Sequence, residues 1–227
     1  MEGLHKLTTI WHTQLAPDSF YKLTSIWVKS CPSLIHIIGP GILKRLHSLK
    51  ELTLWNCESV QEVFNGDHDK SEVFTCQNLL EVVISNCKSL KILFPATVAR
   101  VLVKLEMLRI FECEILELII GKEDQIVGEI IPEFVFPCLT WASFCYLPQL
   151  RSFYPGMHTS KWPSLRKLFL LPSGEVENLA EEYSIFQQEH EHDQLGTPTK
   201  LPFFLFQKVR VLVLFALSSS SNPFIFV

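Results

Sequence analysis

Four cysteines recur at regular intervals, and their type alone would allow metal binding or disulfide formation. They are Cys31, Cys57, Cys87 and Cys113. Zinc sites usually bring two ligands within about two to four residues of each other, whereas these cysteines lie 26 to 30 residues apart. The total of seven cysteines is odd, which does not suggest a disulfide framework. We expect a structural ladder of free thiols in a reducing, cytoplasmic location.

A short acidic stretch holds the other candidate metal ligands. His190 and His192 are separated by one residue, which would place both imidazoles on one face of a strand, where they could hold a divalent metal. The neighbouring carboxylates favour a solvated loop instead, so we expect no metal there. His158 is predicted to lie in a loop between repeats and to have no chemical role.

None of the short motifs that hold a phosphate, a nucleophilic serine or a catalytic zinc is found in the sequence. Gly-x-x-x-x-Gly-Lys-Ser/Thr, Gly-x-Ser-x-Gly and His-Glu-x-x-His are all absent. A nucleophile and its base could still meet from distant strands, but no residue indicates such a pair. The sequence therefore predicts a binding protein with no cofactor rather than an enzyme.

The ladder cysteines belong to a repeated phrase, Leu-x-x-Leu-x-Leu-x-x-Cys-x-x-Leu-x-x-Leu, with other apolar residues at some leucine positions. Complete copies begin at Leu23, Leu49, Leu79 and Leu105, and incomplete copies begin at Leu139, Leu165 and Val209. This phrase is the signature of the leucine-rich repeat. It predicts an α/β repeat solenoid shaped as a curved horseshoe, with a parallel sheet on the concave face and short helices and loops on the convex face.

The repeats organise nearly the whole chain. Residues 1–217 are assigned to about seven repeats, of which the first and last are incomplete, and residues 218–227 to a non-repeat tail. Short helices are predicted near residues 95–102 and 41–46, the first because Pro95 suits an initial helical turn. Polar, acidic insertions fall at alternate turns, where a solenoid places adaptable loops: Asn65 to Glu72, Gly121 to Glu133 and Ser173 to Lys200.

Alternation along each strand points every second side chain away from the core. The side chains predicted to be exposed are Ser25, Trp27, Lys29, Glu51, Thr53, Trp55, Glu81, Val83, Ser85, Met107, Arg109, Phe111, Trp141, Ser143, Cys145, Lys167, Phe169 and Leu171. Aromatic residues beside basic ones resemble the composition of interface hot spots. The predicted protein-binding site on the concave face is Trp27, Lys29, Trp55, Arg109, Phe111, Trp141 and Phe169. Alternatively, another domain or crossing loops cover these residues.

Cys76, Cys138 and Cys145 are expected to be packing residues.

Composition limits the partners. The net charge of −4 argues against nucleic acid, because phosphate binding needs a basic surface. The apolar run at residues 211–217 is much shorter than the roughly 20 residues needed to span a bilayer and is predicted to be a buried strand. Residues 1–13 lack the apolar segment of a signal peptide, and the chain has no Asn-x-Ser/Thr sequon. We expect a cytoplasmic protein that does not span a membrane.

Two stretches carry a family resemblance. Residues 87–95 read Cys-Lys-Ser-Leu-Lys-Ile-Leu-Phe-Pro, and Phe153-Tyr-Pro-Gly156 precedes Trp162-Pro-Ser-Leu165. With the repeat phrase, they resemble the repeat domain of plant intracellular immune receptors, in the coiled-coil, nucleotide-binding, leucine-rich-repeat class of disease resistance proteins, over roughly residues 4–217. The resemblance implies recognition of pathogen effectors or of host proteins that effectors modify, and restraint of a nucleotide-binding module. The coiled coil and that module are absent here, so we expect a fragment.

The runner-up interpretation is a substrate-recognition subunit of a ubiquitin ligase. Such subunits also use cysteine-containing repeats near 26 residues long. Their repeats typically follow the cysteine with an Ile-Thr-Asp-like step, which no copy here contains, and no F-box-like segment precedes the repeats. Partners recovered with the chain would separate the two interpretations, since one predicts a nucleotide-binding module or an effector and the other predicts a ligase adaptor.

Overall fold

The computed structural model describes residues 2–11, 16, 19–39, 41–64, 76–122, 131–171 and 211–214. In chain order its strands are β1 (Ser25–Lys29), β2 (His36–Ile38), β3 (Glu51–Trp55), β4 (Glu62–Phe64), β5 (Glu81–Ser85), β6 (Ile92–Phe94), β7 (Met107–Phe111), β8 (Leu118–Ile120), β9 (Glu133–Val135), β10 (Trp141–Cys145), β11 (Thr159–Lys161), β12 (Lys167–Leu171) and β13 (Val211–Leu214). A seven-stranded parallel sheet has the order β1-β3-β5-β7-β10-β12-β13. Adjacent repeats thus supply adjacent strands, and the predicted leucine-rich-repeat solenoid is confirmed.

Equivalent positions of successive repeats lie side by side in the long sheet. Val28 pairs with Leu54, and Leu54 pairs with Ile84. Their exposed fractions are 1%, 0% and 0%, so all three point into the core, as the alternation predicted. Fully burying one such aliphatic side chain contributes about 1.5–3 kcal/mol. A five-residue strand buries too little apolar surface alone, but stacking joins the rows into one continuous core.

The residue that follows β1, β3, β5, β7 and β10 adopts a left-handed backbone conformation in each case. These residues are Ser30 (φ 53°), Asn56 (φ 55°), Asn86 (φ 52°), Glu112 (φ 52°) and Tyr146 (φ 57°). The turn aims the backbone N–H of Asn56 at the carbonyl oxygen of Ser85, 3.0 Å away on the next strand. Asparagine accepts this conformation more readily than most residues. The Asn86 side-chain amide also donates to the Asn56 side-chain oxygen at 2.9 Å. The turn therefore ends the strand while extending the hydrogen-bonded ladder by one residue.

The opposite side of the solenoid is built mainly of short strands. Two-stranded parallel sheets form from β2 with β4, β6 with β8, and β9 with β11. The helix predicted after Pro95 is present at Ala96–Ala99, and a 3-10 helix forms at Leu43–Arg45. The expectation of helices and loops on this side was therefore only partly right. Because equivalent return segments are stacked in parallel, their extended backbones can hydrogen-bond to one another, as Gln61 N–H does to the Ile35 carbonyl at 3.0 Å.

Aromatic side chains fill the core of the later repeats. The members of this group are Phe134, Phe136, Phe153, Tyr154, His158 and Trp162, and all are buried. His158 lies 5.9 Å from Phe153 between ring centroids, and its Nδ1 lies 3.0 Å from the Gly156 carbonyl oxygen. Phe153 stands at the repeat position that smaller aliphatic side chains hold in the earlier repeats, where Ile37, Leu93 and Ile119 are buried.

Several sequence predictions lie outside the described residues. These are the insertions at residues 65–72 and 173–200, most of the insertion at residues 121–133, the pair His190 and His192, and the tail at residues 218–227. Residues 211–214 do form a strand, in register with β12. Within the described ranges, no helix is long and apolar enough to cross a membrane.

Candidate protein-binding face

The predicted binding residues lie on one side of the seven-stranded sheet, here called the strand face: the side chains that point away from the core on β1, β3, β5, β7, β10 and β12. Trp27 is 63% exposed and Trp55 is 49% exposed, although both are large apolar residues. Lys29 is also exposed. Arg109, Phe111, Trp141 and Phe169 are half-buried. The tryptophans at the first strands thus project furthest into solvent.

The β1 end of the strand face contains its own acidic partners. Glu51 accepts hydrogen bonds from the Ser25 hydroxyl at 3.1 Å and from the Trp27 indole N–H at 3.2 Å. Lys29 forms an ion pair with Glu2 at 3.1 Å. The polar atoms around Trp27 are therefore satisfied within the chain, and its ring remains open to solvent.

The later strands carry a cluster of cations and rings, here called the Arg109 cluster: Arg109, Phe111, Trp141, Lys167 and Phe169. The Arg109 guanidinium carbon lies 5.0 Å from the Phe111 ring centroid and 5.1 Å from that of Trp141. Lys167 Nζ lies 4.9 Å from the Trp141 centroid. The Trp141 and Phe169 centroids are 5.8 Å apart. Cation–π contacts of this kind contribute about 0.5–2 kcal/mol, depending on desolvation.

Lys167 was predicted to be exposed but was not included in the binding site. Its position in the sheet explains why it belongs to the cluster, since it lies directly opposite Trp141 on the neighbouring strand. The sequence contained a usable signal, because both residues occupy the same position in their repeats. Arg109 lies two residues beyond Met107, the residue opposite Trp141, and is itself opposite Ser143. That small side chain leaves room for the guanidinium to lie against the ring of Trp141.

Two buried donors of the Arg109 cluster lack a hydrogen-bond partner. Arg109 Nε and Trp141 Nε1 are both shielded from solvent, and neither finds an acceptor. Across the described ranges, these are the buried side-chain nitrogens and oxygens that remain unpaired. A buried unpaired donor costs about 1–3 kcal/mol. Both unpaired donors thus belong to residues of the predicted binding surface.

Three small side chains predicted to be exposed are buried. Ser85, Ser143 and Cys145 have exposed fractions of 8%, 4% and 2%. Each lies in register with a larger neighbour, as Ser143 does with Arg109 and Phe169. Bulky side chains on both flanking strands cover a small one between them. Cys145 was also predicted to be a packing residue, as was Cys76, and the burial of both confirms that prediction. Cys138 was predicted to pack as well, but it is exposed. The Leu171 side chain lies outside the described atoms.

The ladder cysteines lie at the inner end of each turn. Cys31, Cys57, Cys87 and Cys113 are free thiols with 0% exposure. Each thiol points at the carbonyl oxygen two residues earlier, as Cys113 does at 3.3 Å from that of Phe111. Burial raises the pKa of the Cys57 and Cys87 thiols, and it raises the pKa of Cys113 to about 11. Free, buried thiols fit the structural role that the repeat position predicted.

Metal coordination finds no support in the described part of the chain. No group of three or more histidine, cysteine or acidic residues is placed there to hold an ion. The ladder cysteines are instead spaced one repeat apart, and burial raises the pKa of Cys57, Cys87 and Cys113, which disfavours the thiolate that a metal requires.

Fold and surface together define a class: a leucine-rich-repeat solenoid whose strand face presents exposed aromatic and cationic side chains. Domains of this class are generally protein-interaction modules without enzymatic activity. The leucine-rich repeats of the family described as plant disease resistance protein RPS2-like match residues 2–74 and 67–114. The repeats in residues 2–114 are thus similar to the leucine-rich repeats of plant disease resistance proteins. No curated protein and no solved structure matches the chain significantly.

Proposed function

We propose that the chain is the protein-recognition domain of a plant immune receptor. Its strand face binds a pathogen effector, a host protein that an effector modifies, or the nucleotide-binding module of a receptor. The family match supports the receptor class. The chain acts as part of a longer receptor inside the cell, needs no cofactor and performs no catalysis. Free, buried cysteines are consistent with a reducing compartment.

The exposure of Trp27 and Trp55 is the observation that carries the proposal. These rings lie outward on a regular sheet whose other side is a complete apolar core, so folding does not require them there. Trp27 pairs in register with Thr53, and Trp55 with Lys29. Tryptophan is among the residues most enriched at interface hot spots, where its truncation often costs about 2 kcal/mol or more of binding.

A double substitution, Trp27→Ala with Trp55→Ala, tests the proposal. Both side chains leave the strands opposite the core, so circular dichroism and thermal melting should match those of the wild type. Affinity for a purified nucleotide-binding module of the matched receptor family, or for an effector that binds the wild-type chain, should fall about 30-fold or more. Isothermal titration calorimetry measures the change directly.

Met157→Ala is the matched control. Met157 is 63% exposed, the same fraction as Trp27, but it lies outside the seven-stranded sheet. Its removal should leave affinity unchanged. A double variant that loses melting stability yet binds normally per folded molecule would contradict the proposal, because it would make both tryptophans packing residues.

A further inference from the structure

The Arg109 cluster has cations without anions. Six ion pairs join described residues elsewhere, but neither Arg109 nor Lys167 contacts a carboxylate among the described residues. The guanidinium is held between two rings and is therefore partly desolvated. A desolvated charge without a counter-ion is unfavourable in the free chain. The two unpaired buried donors lie in this same group.

At the β1 end of the strand face, an indole N–H and a lysine ammonium group are each paired with a glutamate of the chain. There the Trp27 indole N–H reaches Glu51, and Lys29 reaches Glu2. Glu51 belongs to a line of residues that lie opposite one another on adjacent strands. On the later strands this line continues through Glu81, Met107, Trp141 and Lys167. Glu81 is separated from Trp141 by a whole strand, and it makes no ion pair with Arg109 or Lys167. Among the described residues, no carboxylate therefore pairs with the donors beside Trp141.

We propose that the Arg109 cluster binds an aspartate or glutamate side chain of the protein partner, adjacent to an apolar residue that packs on Trp141 and Phe169. This inference rests on the proposed function and specifies the chemistry that the strand face selects. Arg109 makes no hydrogen bond among the described residues, and its Nη atoms are not among the buried unpaired donors. They therefore remain accessible to an incoming carboxylate.

Ring stacking prepares the guanidinium for that role. Arginine donates in a fixed planar fork that matches the geometry of a carboxylate, and contact with Phe111 and Trp141 limits its side-chain freedom before the partner arrives. Charge-assisted hydrogen bonds are roughly twice as strong as neutral ones. The Trp141 indole N–H, which lacks an acceptor among the described residues, offers the same carboxylate a second donor once the cluster opens. Lys167, whose Nζ also lies against the Trp141 ring, adds a second positive charge.

The test uses peptides selected from a phage-displayed random library on the full chain. Selected sequences should carry aspartate or glutamate beside an aliphatic or aromatic residue. Replacing that acid by asparagine or glutamine should weaken binding roughly 30-fold. The same replacement should weaken binding less than about threefold in the Arg109→Gln chain, because the group that recognises the charge is already gone.

Trp141→Phe is the variant that separates recognition from folding. It keeps a ring between the two cations but removes the unpaired indole N–H. Its melting temperature should not fall, since a buried unsatisfied donor is lost. Peptide affinity should fall several-fold. A loss of melting stability together with unchanged affinity would overturn the role assigned to this donor.

The remaining outcomes distinguish this inference from the proposed function. Peptides that lose binding on Phe169→Ala but tolerate loss of their acid would overturn the inference and leave the strand face as a binding surface. Peptides whose binding ignores every strand-face substitution would contradict the proposed function as well. Binding that requires a phosphoryl group instead of a carboxylate would also overturn the inference. So would binding that appears only when the acidic residues within 175–193 are changed to amides, because the chain's own carboxylates would then be the occupant.

Discussion

At the scale of single residues, burial controls the chemistry of the thiols. Cys113 has a pKa raised to about 11, and Cys76 has a pKa raised to about 12, because burial disfavours the thiolate. Cys138 offers a contrast, since it is exposed on the same chain. A thiolate is the reactive form of cysteine. The position of a cysteine in its repeat therefore decides whether it can react at all.

The raised thiol pKa values predict a loss of stability at alkaline pH. Below an unfolded-state pKa near 9.0 the thiols are protonated in both states, and their contribution is fully present. As pH rises from there toward about 11 for Cys113 and about 12 for Cys76, only the unfolded chain ionises, so folding weakens. Urea unfolding at about pH 10 should show a loss on the order of 1 kcal/mol for each such thiol.

Cys76→Ala supplies the control for this titration. The variant loses packing at every pH, but its stability should fall less steeply between about pH 8 and pH 10, because one ionising thiol has been removed. Alkylation provides a second measurement: in the native chain Cys138 should be labelled first, and Cys113 only on unfolding. Equal pH dependence in the two chains would show that the buried thiols do not titrate as described.

At the scale of elements, alternation fixes which strand residues stabilise the fold. Leu54 is fully buried on β3, whereas its neighbour Thr53 points to the strand face and is half-buried. Leu54→Ala should cost about 2–5 kcal/mol, since it leaves a cavity between Val28 and Ile84. Thr53→Ala should cost about 0.5 kcal/mol or less. Urea denaturation of both variants measures the difference, and similar losses would contradict the register of the sheet.

The strands were predictable because their pattern is local. Two apolar positions separated by one residue, as in Ile26 and Val28, are enough to predict both the strand and its buried side. Burial on the strand face was harder to predict, because it depends on residues a full repeat away. Ser143, for example, is 4% exposed and lies in register between the larger residues Arg109 and Phe169. From alternation in the sequence alone, the Ser143 side chain would be predicted to be exposed to solvent.

The sequence predicted which residues share the strand face, whereas their role in binding stays a prediction and their contacts with one another were not foreseen. Sequence alone could place Arg109 and Trp141 on the same face, since both occupy outward strand positions. It could not reveal that the guanidinium lies between two rings or that two donors stay unpaired, because those facts depend on side-chain packing across strands. The short return strands were missed for a similar reason, since their hydrogen bonds form only between stacked repeats.

At the scale of the whole molecule, each repeat contacts its neighbours on either side. The stability of such a solenoid is approximately a sum of repeat and interface contributions, so local opening should begin at the ends. Hydrogen exchange should therefore be slower for the backbone N–H of Ile84 on β5 than for that of Val28 on β1. The two residues share a repeat position and are both buried, which makes the pair a matched comparison. Equal protection measured by NMR would indicate that the described repeats open as one unit.

The parallel order of the long sheet has a mechanical consequence. From β1 to β13, strand-to-strand hydrogen bonds run in the direction in which repeats are added, so tension between the two edge strands would load the interfaces in series. The interfaces would open one at a time. The hydrogen bonds between adjacent turns, such as those of Asn56 and Asn86, would break together with the interface they join. The molecule should therefore lengthen in steps of one repeat under low force. Its extension would therefore increase gradually with force. A sheet pulled along its strands differs, because all the hydrogen bonds between two strands carry the load at once and must break together.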